Sequence, residues 1–130
     1  MTKKQNEKMA LDLIRYLQVN EMFRDVNLYL NGKRYSSSPH NGDQLKRTRY
    51  GPYYITENVD VSEYVEYFNS ETITMTFEGE LYEALNYDDG SVGQAINDIA
   101  YDYGLYFEQG NAWNLAFYEN GKLQSILKNM

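Results

Sequence analysis

Carboxylates are the commonest side chains in this 130-residue sequence that could carry chemistry. Between Ser62 and Gly90 the chain holds eight Asp and Glu residues and four tyrosines, with neither a lysine nor an arginine to neutralise them. A carboxylate can act as a general acid or base, bind a hard cation, or attract a basic partner. The spacing and surroundings of these acids distinguish the three roles.

Patterns typical of catalysis and metal binding are sparse. His40 is the single histidine and no cysteine is present, so a Ser-His-Asp triad has one candidate base and a metal would need oxygen ligands. The stretch NYDDGS fails as an EF-hand loop, because with Gly90 sixth the first position falls on Leu85 and the twelfth on Ile96. We therefore expect no catalytic residue, no metal site and no cofactor, and a protein that is not an enzyme.

Charge is distributed unevenly along the chain. Residues 1–50 carry ten Lys and Arg against five Asp and Glu, a net of +5, whereas residues 51–120 carry fourteen acids and no base. The whole chain has a formal net charge of −7. Solubility explains much of this acidity. Asp98 and Asp102, however, are spaced i and i+4, where like charges on a helix repel by roughly 0.2–0.5 kcal/mol.

Two amphipathic helices are predicted to position part of this charge. Apolar residues at helical spacing predict the first over about residues 6–23. The second is predicted to begin at a capping box formed by Ser91 and Gln94, and to end before Gly104, which suits a left-handed C-terminal residue.

Strands and hairpins account for much of the remaining chain. Asn31-Gly32 predicts a type I′ hairpin, and residues 52–57 predict a short strand. Strict alternation over Thr72–Phe77 predicts a strand with an apolar face and a solvated threonine face. Gly110-Asn111 and Asn120-Gly121 predict two further hairpins. Trp113 lies within this predicted meander and is expected in the core.

Three segments have weaker patterns. Residues 36–52 lack an apolar period and are predicted to be mostly loop, part of which could become ordered on binding. Asp60 and Glu63 have the spacing of a capping box and predict a third helix with Val61, Tyr64, Val65 and Phe68 on one face. Residues 80–87 suit either a helix or a strand.

These elements predict a single α+β domain over residues 1–130, with an antiparallel sheet built from hairpins and two main amphipathic helices packed on it. Hydrophobic residues make up 42% of the chain, enough for a core. The absence of cysteine favours a reducing compartment, so we expect the cytosol. No run of about 18 apolar residues predicts a membrane span.

A small, cysteine-free, acidic α+β chain with carboxylate clusters in EYVEYF, FEGELYE and NYDDG resembles phage-encoded anti-defence proteins, the anti-CRISPR and antirestriction inhibitors. Several of those inhibitors are DNA mimics. The resemblance concerns general character over residues 51–120 and transfers no individual residue. It implies a non-enzymatic inhibitor, acting in the host cytosol, whose protein partner has a basic nucleic-acid-binding groove, such as a Cas nuclease or a restriction enzyme.

On this hypothesis an acidic, tyrosine-rich surface makes the contacts. Carboxylates on a rigid frame present to a basic groove a field similar to that of a nucleic-acid backbone. Eleven of the fourteen tyrosines lie between Tyr50 and Tyr118, and tyrosine suits interfaces. The expected partner-binding residues are Glu63, Glu66, Glu71, Glu78, Glu80, Glu83, Asp88, Asp89, Asp98 and Asp102.

Other functions follow from the same composition. The acidity could serve solubility alone, in a generic interaction or structural domain. A hydrolase using a carboxylate pair ranks third. Direct nucleic-acid binding is not expected, because the basic residues of the first half would have to overcome repulsion from the acidic remainder; they include Lys33, Arg34, Lys46, Arg47 and Arg49.

Overall fold

Seven antiparallel strands form the sheet on which the described part of the chain is assembled. The computed structural model describes residues 1–40 and 43–121. Within them lie α1 (Lys3–Val19), β1 (Val26–Leu30), β2 (Lys33–Ser36), β3 (Gln44–Thr48), β4 (Gly51–Thr56), a 3-10 turn (Val61–Glu63), β5 (Thr74–Phe77), α2 (Gly79–Tyr87), α3 (Ser91–Tyr101), β6 (Leu105–Asn111) and β7 (Asn114–Glu119). The strand order is β3-β4-β2-β1-β5-β7-β6, which confirms the predicted α+β class.

One side of the sheet, here called the helix face, carries the main core. Leu28 in β1 lies opposite Met75 in β5, which in turn lies opposite Leu115 in β7, and all three are fully buried. α1 covers this face with Leu13 and other apolar residues at the predicted spacing. Apolar residues of α2 and α3 join the same core; they are Leu81, Ala84, Ile96 and Ala100.

α1 begins earlier and ends earlier than predicted. Thr2 and Gln5 form a capping box that moves the start to Lys3: Thr2 Oγ1 accepts from the Gln5 N–H at 3.1 Å, and Gln5 Oε1 accepts from the Thr2 N–H at 2.9 Å. The helix ends at Val19, where Asn20 donates through Nδ2 to the Tyr16 carbonyl. None of the helices in the described part of the chain is long and apolar enough to cross a membrane.

The Asn31-Gly32 hairpin is confirmed. Both residues have positive φ, 55° and 72°, as a type I′ turn requires. Asn31 also donates through Nδ2 to the Lys3 carbonyl at 3.0 Å and accepts from Nδ2 of the buried Asn6. The turn is thereby held against the first turn of α1.

The predicted loop over residues 36–52 was wrong in its second half, where Gln44–Thr48 forms the edge strand β3. Four of its five residues are exposed, and Leu45 is 60% exposed. A strand exposed on both faces needs no apolar alternation, so its sequence has no strand signal. The strand predicted at residues 52–57 is confirmed as β4. β4 is hydrogen-bonded to one edge of β3, and β3 ends the strand order on that side of the sheet.

Residues 57–73, here called the strap, cross the side of the sheet opposite to the helices. This side is here called the open face. The helix predicted from Asp60 was wrong: the chain makes a single 3-10 turn, in which Asp60 Oδ1 accepts from the Ser62 N–H at 3.0 Å. Beyond the turn, the Tyr64 ring packs on the ring of Tyr29 with centroids 5.6 Å apart, and Val65 is buried. The apolar residues that suggested a helix thus include two that pack on the sheet.

Two of the three threonines predicted to face solvent, Thr72 at the end of the strap and Thr74 in β5, are not solvated. Ile73, Met75 and Phe77 do face the core, but Thr72 and Thr74 are only 2% and 0% exposed. Since the strap covers their side of the sheet, these hydroxyls find partners within the protein. Thr74 Oγ1 accepts from the Asn69 N–H at 2.9 Å.

The β6–β7 hairpin forms, but its turn lies two residues later than predicted, at Ala112 and Trp113. Gly110 instead occupies an irregularity in the strand register, between Gln109 and Asn111. Trp113 is 42% exposed, so its predicted place in the core was wrong. The strand expected after Asn120-Gly121 lies outside the described residues.

Residues 80–87, for which the sequence suited either a helix or a strand, lie in the helix α2. This helix is additional to the two main helices that were predicted. α3 is confirmed, yet the Ser91/Gln94 capping box is not formed, because Gly90 is the N-terminal cap with φ of 88°. Gln94 donates instead through Nε2 to Asp98 Oδ1 at 2.8 Å. Gly104, with φ of 72°, adopts the predicted left-handed conformation.

Two glycine-to-alanine substitutions should distinguish the effect of packing against the strap on stability from the effect of helix propensity. A Cβ at Gly110 would lie 2.4 Å from Tyr67 Cβ, whereas one at Gly93 in α3 would meet only ordinary contacts at 3.7 Å or more. We expect Gly110→Ala to lower the free energy of unfolding by about 1–3 kcal/mol through overpacking. Gly93→Ala should leave it unchanged or raise it by up to about 1 kcal/mol. Urea unfolding measures both, and equal effects would contradict this packing of Tyr67.

Alkaline stability should depend on Tyr35, whose ring stacks on Tyr53 at 5.8 Å. Burial, reinforced by Glu7, raises the pKa of Tyr35 to about 12 from its usual 10. The unfolded chain therefore loses this proton at lower pH than the folded chain does, and stability should fall as pH rises from about 10 to about 12. Urea midpoints across this range should fall less steeply for Tyr35→Phe. An identical slope in the variant would contradict the expectation.

Candidate functional site

The ten acids expected to bind a partner do not form one surface. Glu63 and Glu66 lie on the strap, over the open face, and Glu71 lies near the end of the strap. Glu78, Glu80 and Glu83 cap or occupy α2, Asp88 and Asp89 connect α2 to α3, and Asp98 and Asp102 lie in or directly after α3. Because α2 and α3 pack on the helix face, the sheet separates Glu63 and Glu66 from the acids within α2, α3 and their connection, whereas Glu78 lines a cleft together with Tyr64 of the strap.

The outer side of α3 carries a regular polar stripe. Gln94, Asp98, Tyr101 and Asp102 follow the i, i+4, i+7, i+8 spacing of one helix side, and all four are exposed. The opposite side holds the buried Ile96. Residues four apart on a helix have Cβ atoms roughly 5–6 Å apart, so Asp98 and Asp102 present their charges close together.

α2 adds a second exposed stripe. Glu83 and Tyr87 lie four residues apart, and Tyr87 is 70% exposed. The Tyr87 ring centroid is 6.0 Å from that of Tyr82. The hydrogen bond between the two side chains is the largest cause that raises the pKa of Tyr82 above its usual value. Glu80, by contrast, accepts from Arg24 at 3.1 Å and is already paired.

The connection between the two helices also presents charge. Asp89 accepts from the backbone N–H of Ser91 at 3.0 Å, and this hydrogen bond holds the pKa of Asp89 below its usual range. Asp89 is therefore ionised at neutral pH. Asp88, the C-terminal cap of α2, is exposed.

These observations define a candidate site, here called the acidic helix surface, comprising Glu83, Tyr87, Asp88, Asp89, Asp98, Tyr101 and Asp102. The ion pairs within the described residues are Arg15–Asp12, Arg24–Glu80 and Lys33–Glu57, and none involves this surface. The sequence pattern alone did not distinguish individual tyrosines for this role. Helical spacing from Glu83 and Asp98 was the signal that could have identified Tyr87 and Tyr101.

Three basic residues lie at the edge of the sheet far from α3. Lys46 and Arg47 lie in β3, one edge of the sheet, and Arg49 follows in the next turn. α3 packs near the other edge, where Asn97 Oδ1 accepts from the Phe107 N–H in β6 at 3.1 Å. These three cations therefore lie at the opposite edge of the sheet from α3, whereas Arg24 pairs with Glu80 of α2.

Candidate catalytic and metal-binding groups do not converge in the part of the chain that the structure describes. His40 is exposed, and its backbone N–H donates to Asp43. No group of three His, Asp or Glu side chains within residues 1–40 and 43–121 could hold a metal ion.

Comparison of the chain with protein-family models, curated proteins and solved structures found no match. The fold defines an α+β domain with a seven-stranded antiparallel sheet. Its exposed carboxylates and tyrosines make the acidic helix surface the candidate for binding a partner.

Neutralising the carboxylates at the two ends of α3, Asp89 and Asp102, should change the free energy of unfolding in opposite directions. Asp102 lies at the negative end of the helix dipole and near Asp98, so Asp102→Asn should raise the free energy of unfolding by roughly 0.5–1 kcal/mol at low salt. High salt should reduce the gain. Asp89→Asn should lower stability, since Asp89 accepts from Ser91 at the positive end. Chemical unfolding at two salt concentrations tests both, and a loss of stability in Asp102→Asn would contradict the argument.

Proposed function

We propose that this protein is a non-enzymatic inhibitor that places the acidic helix surface in the basic, nucleic-acid-binding groove of a partner enzyme, such as a Cas nuclease or a restriction enzyme, in the host cytosol. The observation that carries the proposal is the set of exposed carboxylates on the acidic helix surface, none of which lies within 4.0 Å of a lysine or arginine nitrogen among the described residues.

The cost of these charges supports a role in binding. Asp98 and Asp102 repel each other, and Asp102 opposes the dipole of its own helix. A basic groove would neutralise both charges and release its own counterions, as it does when it binds a nucleic-acid backbone. The protein would then bind best at low salt.

Two tyrosines supply contact area beside the charges. Tyr87 and Tyr101 are 70% and 61% exposed, and each follows an acid of the surface by three or four residues on the same helix side. A tyrosine adds apolar contact with little loss of conformational entropy and keeps a hydroxyl for hydrogen bonding. The acids steer the partner and the rings contribute contact energy.

DNA cleavage assays test the proposal. A Cas ribonucleoprotein and a panel of restriction enzymes are assayed with and without the protein, at low and high salt. We expect inhibition of at least one enzyme, fading as salt rises. Asp98→Lys with Asp102→Lys should weaken that inhibition by roughly tenfold or more, because each reversal replaces an attraction with a repulsion.

The matched control is Glu63→Lys with Glu66→Lys, which changes the net charge equally but lies on the other face of the sheet. This variant should inhibit like the wild type, and the protein alone should not shift DNA on a gel. Equal loss of inhibition in both variants would show dependence on net charge rather than on this surface. Absence of inhibition throughout would remove the proposal and leave a non-catalytic domain whose acidity serves solubility.

A further inference from the structure

A groove with aromatic walls runs along the open face, away from the acidic helix surface. It consists of two clefts of about 340 and 470 Å³, and Tyr64 and Trp113 line both of them. The two side chains are 49% and 42% exposed, so each has ring surface available to a ligand. Two further aromatic residues of the strap, Tyr67 and Phe68, are also exposed.

The lining of the groove is acidic at both ends. Asp25 and Glu78 line the first cleft, together with hydroxyl and amide groups, and Glu63 and Glu66 line the second. No lysine or arginine is among the described residues that line either cleft, and the single basic group is His40. A cationic ligand would therefore meet carboxylates on both sides of the aromatic pair that form no ion pair among the described residues.

The aromatic wall is held in place from below. Tyr64 stacks on Tyr29, which is only 5% exposed, and Val65 beside it is buried. The guanidinium carbon of Arg34 lies 5.5 Å from the Tyr64 ring centroid, although Arg34 lines neither cleft. The Tyr64 ring thus already contacts one guanidinium group within the fold, and its position does not depend on a ligand.

We propose that this groove binds an arginine-bearing segment of a protein partner. The planar guanidinium group of arginine stacks on aromatic rings and pairs with carboxylates through two parallel hydrogen bonds. One arginine would lie between Tyr64 and Trp113, and neighbouring basic residues of the segment would face Glu63 and Glu66. This binding site lies across the sheet from the acidic helix surface and does not rest on the proposed inhibitory function.

The groove contains its own reporter, because Trp113 is the single tryptophan in the chain. The full-length protein is titrated with a short, end-blocked peptide of alternating glycine and arginine while tryptophan fluorescence is recorded. We expect a saturable change in emission. A peptide with citrulline in place of arginine keeps the shape but lacks the charge, and it should produce no saturable change.

Two pairs of isosteric substitutions locate the binding site. Glu63→Gln with Glu66→Gln should weaken binding of the arginine peptide by roughly tenfold. Asp98→Asn with Asp102→Asn removes the same charge from the acidic helix surface and should leave the fluorescence titration unchanged. All four side chains are exposed, and circular dichroism verifies that the variants remain folded.

Several results would overturn the inference: equal binding of the citrulline peptide, no saturable response to arginine, or equal weakening by both variant pairs. Free arginine binding as tightly as the peptide would also overturn it, since the occupant would then be a small molecule. Loss of nuclease inhibition in the Asp98/Asp102 variants has no bearing on this result, so the two proposals succeed or fail separately.

Discussion

The backbone carbonyl of Phe117 connects the strap to the centre of the sheet. It accepts from Thr72 Oγ1 at 2.6 Å and from Asn69 Nδ2 at 2.8 Å, while the Phe117 N–H donates to the Ile73 carbonyl. These bonds hold the end of the strap where β5 begins. Because the strap crosses the open face, the residues of β5 and β7 beneath it are removed from water, and the sheet is covered on both sides at its centre.

Covering both faces explains how the molecule distributes its apolar and polar surface. The helix face packs against α1, α2 and α3, whereas the open face packs against an irregular segment in which Tyr64 and Val65 are buried or stacked on the sheet. The strap leaves part of the open face uncovered. Clefts consequently remain between the strap, the β6–β7 turn and the loop after β2, and they form the groove lined by Tyr64 and Trp113.

The same arrangement divides the acidic half of the chain between two surfaces. The strap carries its carboxylates over the open face, and α2 and α3 carry theirs on the outside of the helix layer. The basic residues are partly used as internal partners, as Arg24 is for Glu80 and Lys33 is for Glu57, and partly placed on the β3 edge. Each acidic surface therefore lies beside exposed aromatic side chains.

Local sequence determined the elements whose signals lie within a few residues. Asn31-Gly32 specified its turn through positive φ, Gly104 specified the end of α3, and the apolar period of α1 and α3 specified their buried sides. The alternation of Ile73, Met75 and Phe77 likewise specified one side of β5. For the candidate site, the sequence identified the acids and the spacing of Asp98 and Asp102, because charge and helical period are both local properties.

The tertiary structure decided what covers each surface. β3 pairs because β4 offers it a free edge, although its own residues show no alternation. Thr72 and Thr74 are buried because the strap crosses the open face and its end is bonded to Phe117 in β7, and Trp113 is exposed because it lies in the β6–β7 turn. The division of the acids between two faces likewise depends on which side of the sheet each segment crosses. Contacts between distant parts of the chain set these outcomes, and no local pattern encodes them.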